Sequence, residues 1–146
     1  MISITGDKQI DAILRNLPPA LSHKALGSVH YNAAKPLVEK EKQLVPKRTG
    51  TLEKSIGAYR MSYKNATAVG EVRVGPSRRG GYKGYHGHLV EFGTDGRYTK
   101  DGSYRGVMPT SPFAKPAFDE TKGPVERLIV TDMSRIVLGV MKRHYK

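Results

Sequence analysis

The residues best equipped for chemistry in this chain are His86 and His88, two positions apart, with Glu91 close behind. Imidazole and carboxylate groups hold zinc when three or four of them converge. Only the spacing is present here, in a Gly-rich stretch with no fourth ligand nearby, so packing or interface contact is the expected role and no metal is expected. Nucleophilic catalysis needs a Ser or Thr activated by a base that a third group orients. No Ser stands in a Gly-x-Ser-x-Gly elbow, and no His-Glu-x-x-His occurs. The Gly-rich stretch 75–87 has neither a Walker pattern ending in Gly-Lys-Ser/Thr nor a strand-borne Gly-x-Gly-x-x-Gly, which disfavours a phosphate-cradling enzyme. Glu39, Glu41, Asp119 and Glu120 fall on expected helix faces, where solvation is the ordinary role of a carboxylate. The chain is therefore expected to be non-enzymatic and to need no cofactor.

Binding chemistry is better represented. Arg78, Arg79, Lys83, Arg97, Lys100 and Arg105 are interleaved with Tyr82, Tyr85, Tyr98 and Tyr104. Such a mixture neutralises phosphates and stacks on bases. It also makes good protein interfaces, where Tyr and Arg are enriched. A third reading is a solvated loop whose charge aids solubility. Arg78, Arg79, Lys83, Tyr85, Arg97, Lys100 and Arg105 are thus the candidate interface or DNA-channel contacts. Glu91 poses a separate problem, because it lies among Leu89, Val90 and Phe92, where an unpaired carboxylate is costly to desolvate. The nominated partner is Arg48, whose guanidinium could bind the carboxylate with two parallel hydrogen bonds.

These groups need elements to position them. The chain has 146 residues, 38% of them hydrophobic, enough for one core in a single domain spanning 1–146. Lys and Arg number 25 against 13 Asp and Glu, and the net charge of +12 attracts phosphate, acidic proteins or anionic lipid. With no Cys there is no disulfide framework, thiolate nucleophile or Cys-based metal site. Residues 1–8 lack the basic flank and apolar run of a signal peptide, and no stretch approaches the roughly 20 apolar residues of a membrane span. A soluble, unprocessed chain with no membrane partner is expected.

Ile10, Ile13, Leu14 and Leu17 recur at helical spacing after Asp7 and predict a short helix over 7–16. Pro19 suits the opening turn of a second helix, with Leu21, Ala25, Val29, Ala33 and Leu37 along one stripe and Lys24, Glu39, Lys40, Glu41 and Lys42 on a solvated face. Pro36 should bend this helix and Pro46 should end it. Thr49 or Thr51 can cap a short turn reaching Ser55. The period then changes: Tyr59, Met61 and Tyr63 alternate with Ala58, Arg60 and Ser62, and 67–74 is rich in β-branched residues. An antiparallel hairpin is predicted, stopping at Gly75 and Pro76. Residues 77–110 read as an extended loop, broken by one apolar piece over 85–92 that forms a helical turn or two. Ser111 and Pro112 signal a helix start, and Gly123 with Pro124 a kink or restart. Val125, Leu128, Ile129, Met133, Ile136, Val137 and Val140 mark a long C-terminal helix. The order of elements predicts an α+β domain in which N-terminal helices and a long C-terminal helix cover a small antiparallel sheet.

Three blocks stand in order: 46–52, Pro-Lys-Arg-Thr-Gly-Thr-Leu, followed by Ser55 and Ile56; 85–94, ending Leu-Val-Glu-Phe-Gly-Thr; and 109–117, Pro-Thr-Ser-Pro-Phe-Ala-Lys-Pro-Ala. Together they make the chain resemble the tail-component family of long-tailed double-stranded DNA phages, whose members act as tail-completion or neck proteins. That resemblance implies a non-catalytic α+β subunit of a ring, expected to be a hexamer, at the head-to-tail junction of the virion. The ring would sit around the DNA channel, between the tail tube or tail terminator and the head-closure or connector proteins, after assembly in the host cytoplasm. It also leaves room for non-specific contact with genomic DNA. The basic insert around 78–83 and the break at Gly123 and Pro124 depart from the expected pattern. A freestanding basic nucleic-acid-binding module is the alternative reading.

Overall fold

The computed structural model describes residues 19–78 and 84–144. The short helix expected over 7–16 lies outside them. Helix α1 (Pro19–Ala33) opens on a proline, whose missing N–H would have had no partner in a first turn. Pro36 has a stronger effect than a bend: it closes α1 at Ala33 and restarts the chain as α2 (Lys35–Leu44), with Pro36 in the new first turn. The junction stays hydrogen-bonded, since Ala34 N–H donates to His30 O and Val38 N–H to Ala34 O. Val45 is extended and precedes Pro46, where helix is disfavoured.

A short helix α3 (Thr51–Ser55) leads directly into β1 (Ile56–Arg60), which pairs antiparallel with β2 (Val72–Pro76). The predicted hairpin is present, but its strands are displaced: residues 61–71 form the connection, and β2 continues through Gly75 to Pro76 rather than stopping before them. A 3-10 turn (Gly84–His86) and helix α4 (Gly87–Phe92) follow, as expected for the apolar piece. The chain then forms a second antiparallel ribbon, β3 (Thr94–Tyr98) with β4 (Tyr104–Met108), inside the segment expected to be loop. Two separate two-stranded sheets therefore replace the single small sheet, within the predicted α+β class.

Helix α5 (Ala114–His144) closes the domain and packs across α1 and α2. It runs as one helix through Pro124, so no restart occurs there. Gly123, with no Cβ, relieves the clash that the Pro124 ring imposes on the residue before it, while the hydrogen bond to Glu120 O is lost. The core gathers Val38, Val45, Leu52, Ile56, Val90 and Phe113, with Ala58, Val74, Met108 and Ala114 around it. The distal stripe of α5 is less protected than its periodicity implied, for Leu128 and Ile136 are exposed.

The 61–71 connection is pinned to α1 at Gly70. The Gly70 amide donates to Nδ1 of His23, which fixes the ring proton on Nε2, where it is donated to Met61 O. His30 Nδ1 donates to Gly70 O at 2.7 Å. Gly70 has φ +69, and a Cβ there would stand 2.5 Å from Leu26 Cβ, so both conformation and space require glycine.

Candidate interaction surface

Glu91 holds the centre of the structure, with a different partner from the one its sequence context nominated. Its Oε2 accepts the backbone N–H groups of Phe113 at 2.7 Å and Ala114 at 2.9 Å, and its Oε1 accepts that of Lys115 at 3.1 Å. Every free amide of the first turn of α5 is thereby accounted for, because Pro116 has none and Ala117 N–H reaches Phe113 O. No hydrogen bond or ion pair joins Glu91 to Arg48 among the described residues; Arg48 is exposed. A helix start outcompetes the guanidinium because it offers several donors, the positive end of the dipole and no side-chain ordering cost. Burial alone would raise the Glu91 pKa, but the three amides outweigh it and hold the carboxyl below its ordinary value.

The apolar company of Glu91 divides between inside and outside. Val90 enters the core, whereas Phe92 is 78% exposed. Ser111 N–H donates to Val90 O, adding a backbone tie between α4 and the approach to α5. After α4 the chain turns at Gly93, which has φ +71; a Cβ there would stand 2.8 Å from Met108 O, so no side chain fits.

Glu41 is the residue that pattern reading misplaced. It belongs to α2 and was expected on a solvated face, yet it is only 3% exposed and its Oε2 has no hydrogen-bond partner among the described residues. The reason is that α2 is covered by α5 on one flank and by β1 and β2 on another. Burial, assisted by the negative charge of Glu91, pushes its carboxyl up to about 7. Two buried carboxyl groups therefore face opposite electrostatic fates: Glu91 is stabilised as an anion by amides, Glu41 as an acid by burial. Its neighbour Lys40 does reach the surface and forms an ion pair with Glu120, a further link between α2 and α5.

The ribbon carries the predicted basic residues. Arg97, Lys100 and Arg105 are exposed on β3, the tip and β4. Tyr98 and Tyr104 lie opposite each other in the ladder, ring centroids 5.3 Å apart, and both are exposed. At the tip, Thr99 N–H donates to Ser103 O and Gly102 N–H to Thr99 O. Arg78 and Tyr85 are exposed at the end of the β2 segment and in the 3-10 turn, while Arg79 and Lys83 lie outside the described residues. His86 stacks edge-to-face on Tyr85 at 5.6 Å, and His88 is exposed. No group of three or more His, Asp or Glu side chains that could hold a metal occurs among the described residues. Among the same residues, no helix is long and apolar enough to cross a membrane.

The arrangement defines a class, a small α+β domain whose terminal helix is clasped to its centre and whose two-stranded ribbon is exposed. Residues 8–93 match the family described as "Bacteriophage HK97-gp10, putative tail-component", and the chain belongs to that family. The match takes in the loop at Arg48 and the segment ending Val-Glu-Phe-Gly; the ribbon and α5 lie beyond it. Searches of curated proteins and of solved structures returned no match.

Proposed function

We propose that this phage tail component is a non-catalytic tail-completion or neck subunit, which forms a ring, most simply a hexamer, at the head-to-tail junction. Family membership is the observation that carries this reading. The β3–β4 ribbon supports it, because a ring subunit needs a projecting element to reach its neighbour, and a ring closes when the two contact faces of each subunit are complementary. In this reading Tyr98, Tyr104, Arg97 and Arg105 contact a neighbouring subunit or an adjoining tail-tube, terminator or connector protein. The net charge of +12 also suits a position beside the DNA channel.

A phage lacking the gene is expected to accumulate DNA-filled heads and finished tails that remain apart, and the purified chain added to that lysate should restore joined, infectious particles. Normal joining without the gene would refute the reading. If the lysate defect lay instead in DNA replication or packaging, and the purified chain bound DNA with an affinity that fell steeply with salt, a nucleic-acid-binding module would be the better account.

A further inference from the structure

At the foot of the ribbon lies a cleft of about 500 Å³. Four segments meet around it: the loop after α2, α3, the 3-10 turn with α4, and the end of β4 with the chain that follows it. Its walls are mostly apolar, built from Pro46, Leu52, Val90 and Met108, with Arg48 and His86 as its ionisable residues. Among the described residues no Asp or Glu lines it, and neither does any Tyr, Phe or Trp. Arg48 makes no ion pair or hydrogen bond among the described residues, whereas its neighbour Lys47 is held by Glu53 at 3.1 Å.

We propose that this cleft docks an extended acidic segment of a partner protein, which places an apolar side chain against Leu52, Val90 and Met108 and a carboxylate on Arg48.

The charge arrangement identifies the partner. An exposed guanidinium with a free fork of donors matches a carboxylate bidentately, and the apolar wall beside it gives the adjoining side chain a surface to bury. Volume agrees, since pockets that hold small ligands or a few side chains span roughly 300–1,000 Å³. Nucleic acid fits less well. Single-stranded nucleic acid is held by stacking on aromatic side chains along a positive groove, and the described walls of this cleft are apolar and hold no Tyr, Phe or Trp. Docking at this cleft does not depend on where in the tail the subunit sits, so it can fail while the neck assignment stands, and the reverse.

Methyl-labelled full-length protein tests it by NMR, with a capped peptide of alternating Asp and Leu as probe. The expected result is saturable shifts of the Leu52, Val90 and Met108 methyl signals, absent with the Lys-Leu counterpart. Arg48→Glu should weaken binding by about tenfold or more, one lost charge-assisted pair, and Arg48→Lys by less. Because Arg48 is exposed and unpaired among the described residues, both variants should fold. The proposal is overturned if these methyls do not respond to the acidic peptide up to millimolar concentration, or if binding is insensitive to Arg48→Glu. It is equally overturned if a thymidine oligonucleotide shifts the same methyls in the peptide's place, or if the peptide's effects map to the ribbon instead.

Discussion

Replacing Glu91 with alanine should lower the unfolding free energy by about 3 kcal/mol or more, one of the largest effects available to a single substitution in this chain. The change removes a helix cap, which alone costs about 0.5–2 kcal/mol. It also strands the buried amide of Phe113, with a desolvation penalty of roughly 1–3 kcal/mol, and the part-buried amide of Ala114 at lower cost, which relaxation and entering water partly relieve. Glu91→Gln should fall between alanine and wild type. A single amide oxygen keeps the Phe113 and Ala114 bonds, but the new NH2 then faces the Lys115 N–H. Urea denaturation gives the ordering directly, and a glutamine variant as stable as wild type would show that the charge and third amide contribute nothing. The pH dependence has a definite sign. The folded carboxyl lies below its ordinary value of 4.5, so its stabilisation is complete above that pH and is lost as pH falls through the folded value.

The second large effect is at Glu41 and has the opposite sign. Its folded value of about 7 lies above the ordinary 4.5, so the folded state holds the proton more tightly than the unfolded chain. Its stabilisation is therefore complete below pH 4.5 and is lost as pH rises through about 7. An interval of that size corresponds to on the order of 3 kcal/mol. Glu41→Gln imitates the protonated side chain in size and cannot ionise. The difference in unfolding free energy between variant and wild type should grow from about pH 5 to about pH 8, leaving the variant more stable by about 2 kcal/mol at the upper end. A flat difference across that range would mean that Glu41 is solvated and ionised as an ordinary surface glutamate. The two carboxyl groups together predict a stability maximum between their windows.

What sequence revealed of this structure follows from how each feature is encoded. Helices α1, α2 and α5 are written in proline positions and apolar periodicity, which act within a few residues and survive into the fold. Glu91 was recognisable as an anomaly for the same reason, a carboxylate in an apolar run. Its partner was not, because backbone amides are the same at every residue and only the fold brings those of Phe113, Ala114 and Lys115 to it. Arg48 was the sole visible kind of answer, a charged side chain. Glu41 was misplaced because helical patterning assumes one buried face, whereas α2 is covered on more than one side. The β3–β4 ribbon escaped for the converse reason: its strands are largely exposed, so no alternation of apolar and polar residues marks them. A usable signal was present in Asp101-Gly102 between Tyr98 and Tyr104, a turn pair flanked by strand-favouring aromatics. Proline as a sign of a helix restart misled at Pro124, where the preceding residue is glycine.

Two kinds of surface coexist on this subunit. The ribbon offers exposed Arg and Tyr side chains. The cleft at its foot is lined by core residues such as Leu52 and Val90. Glu91 holds both in register, since the ribbon departs from α4 and returns to the start of α5, and those two helices are joined at its carboxylate.

The location of this chain in the mature particle tests the central claim most directly. Phage particles carrying a small epitope on the chain, purified and decorated with gold-labelled antibody, should show label at the neck where head meets tail, on intact particles and on detached tails or heads that keep the junction. Label distributed along the tail tube or at the distal tip, or no chain at all in purified particles, would contradict it.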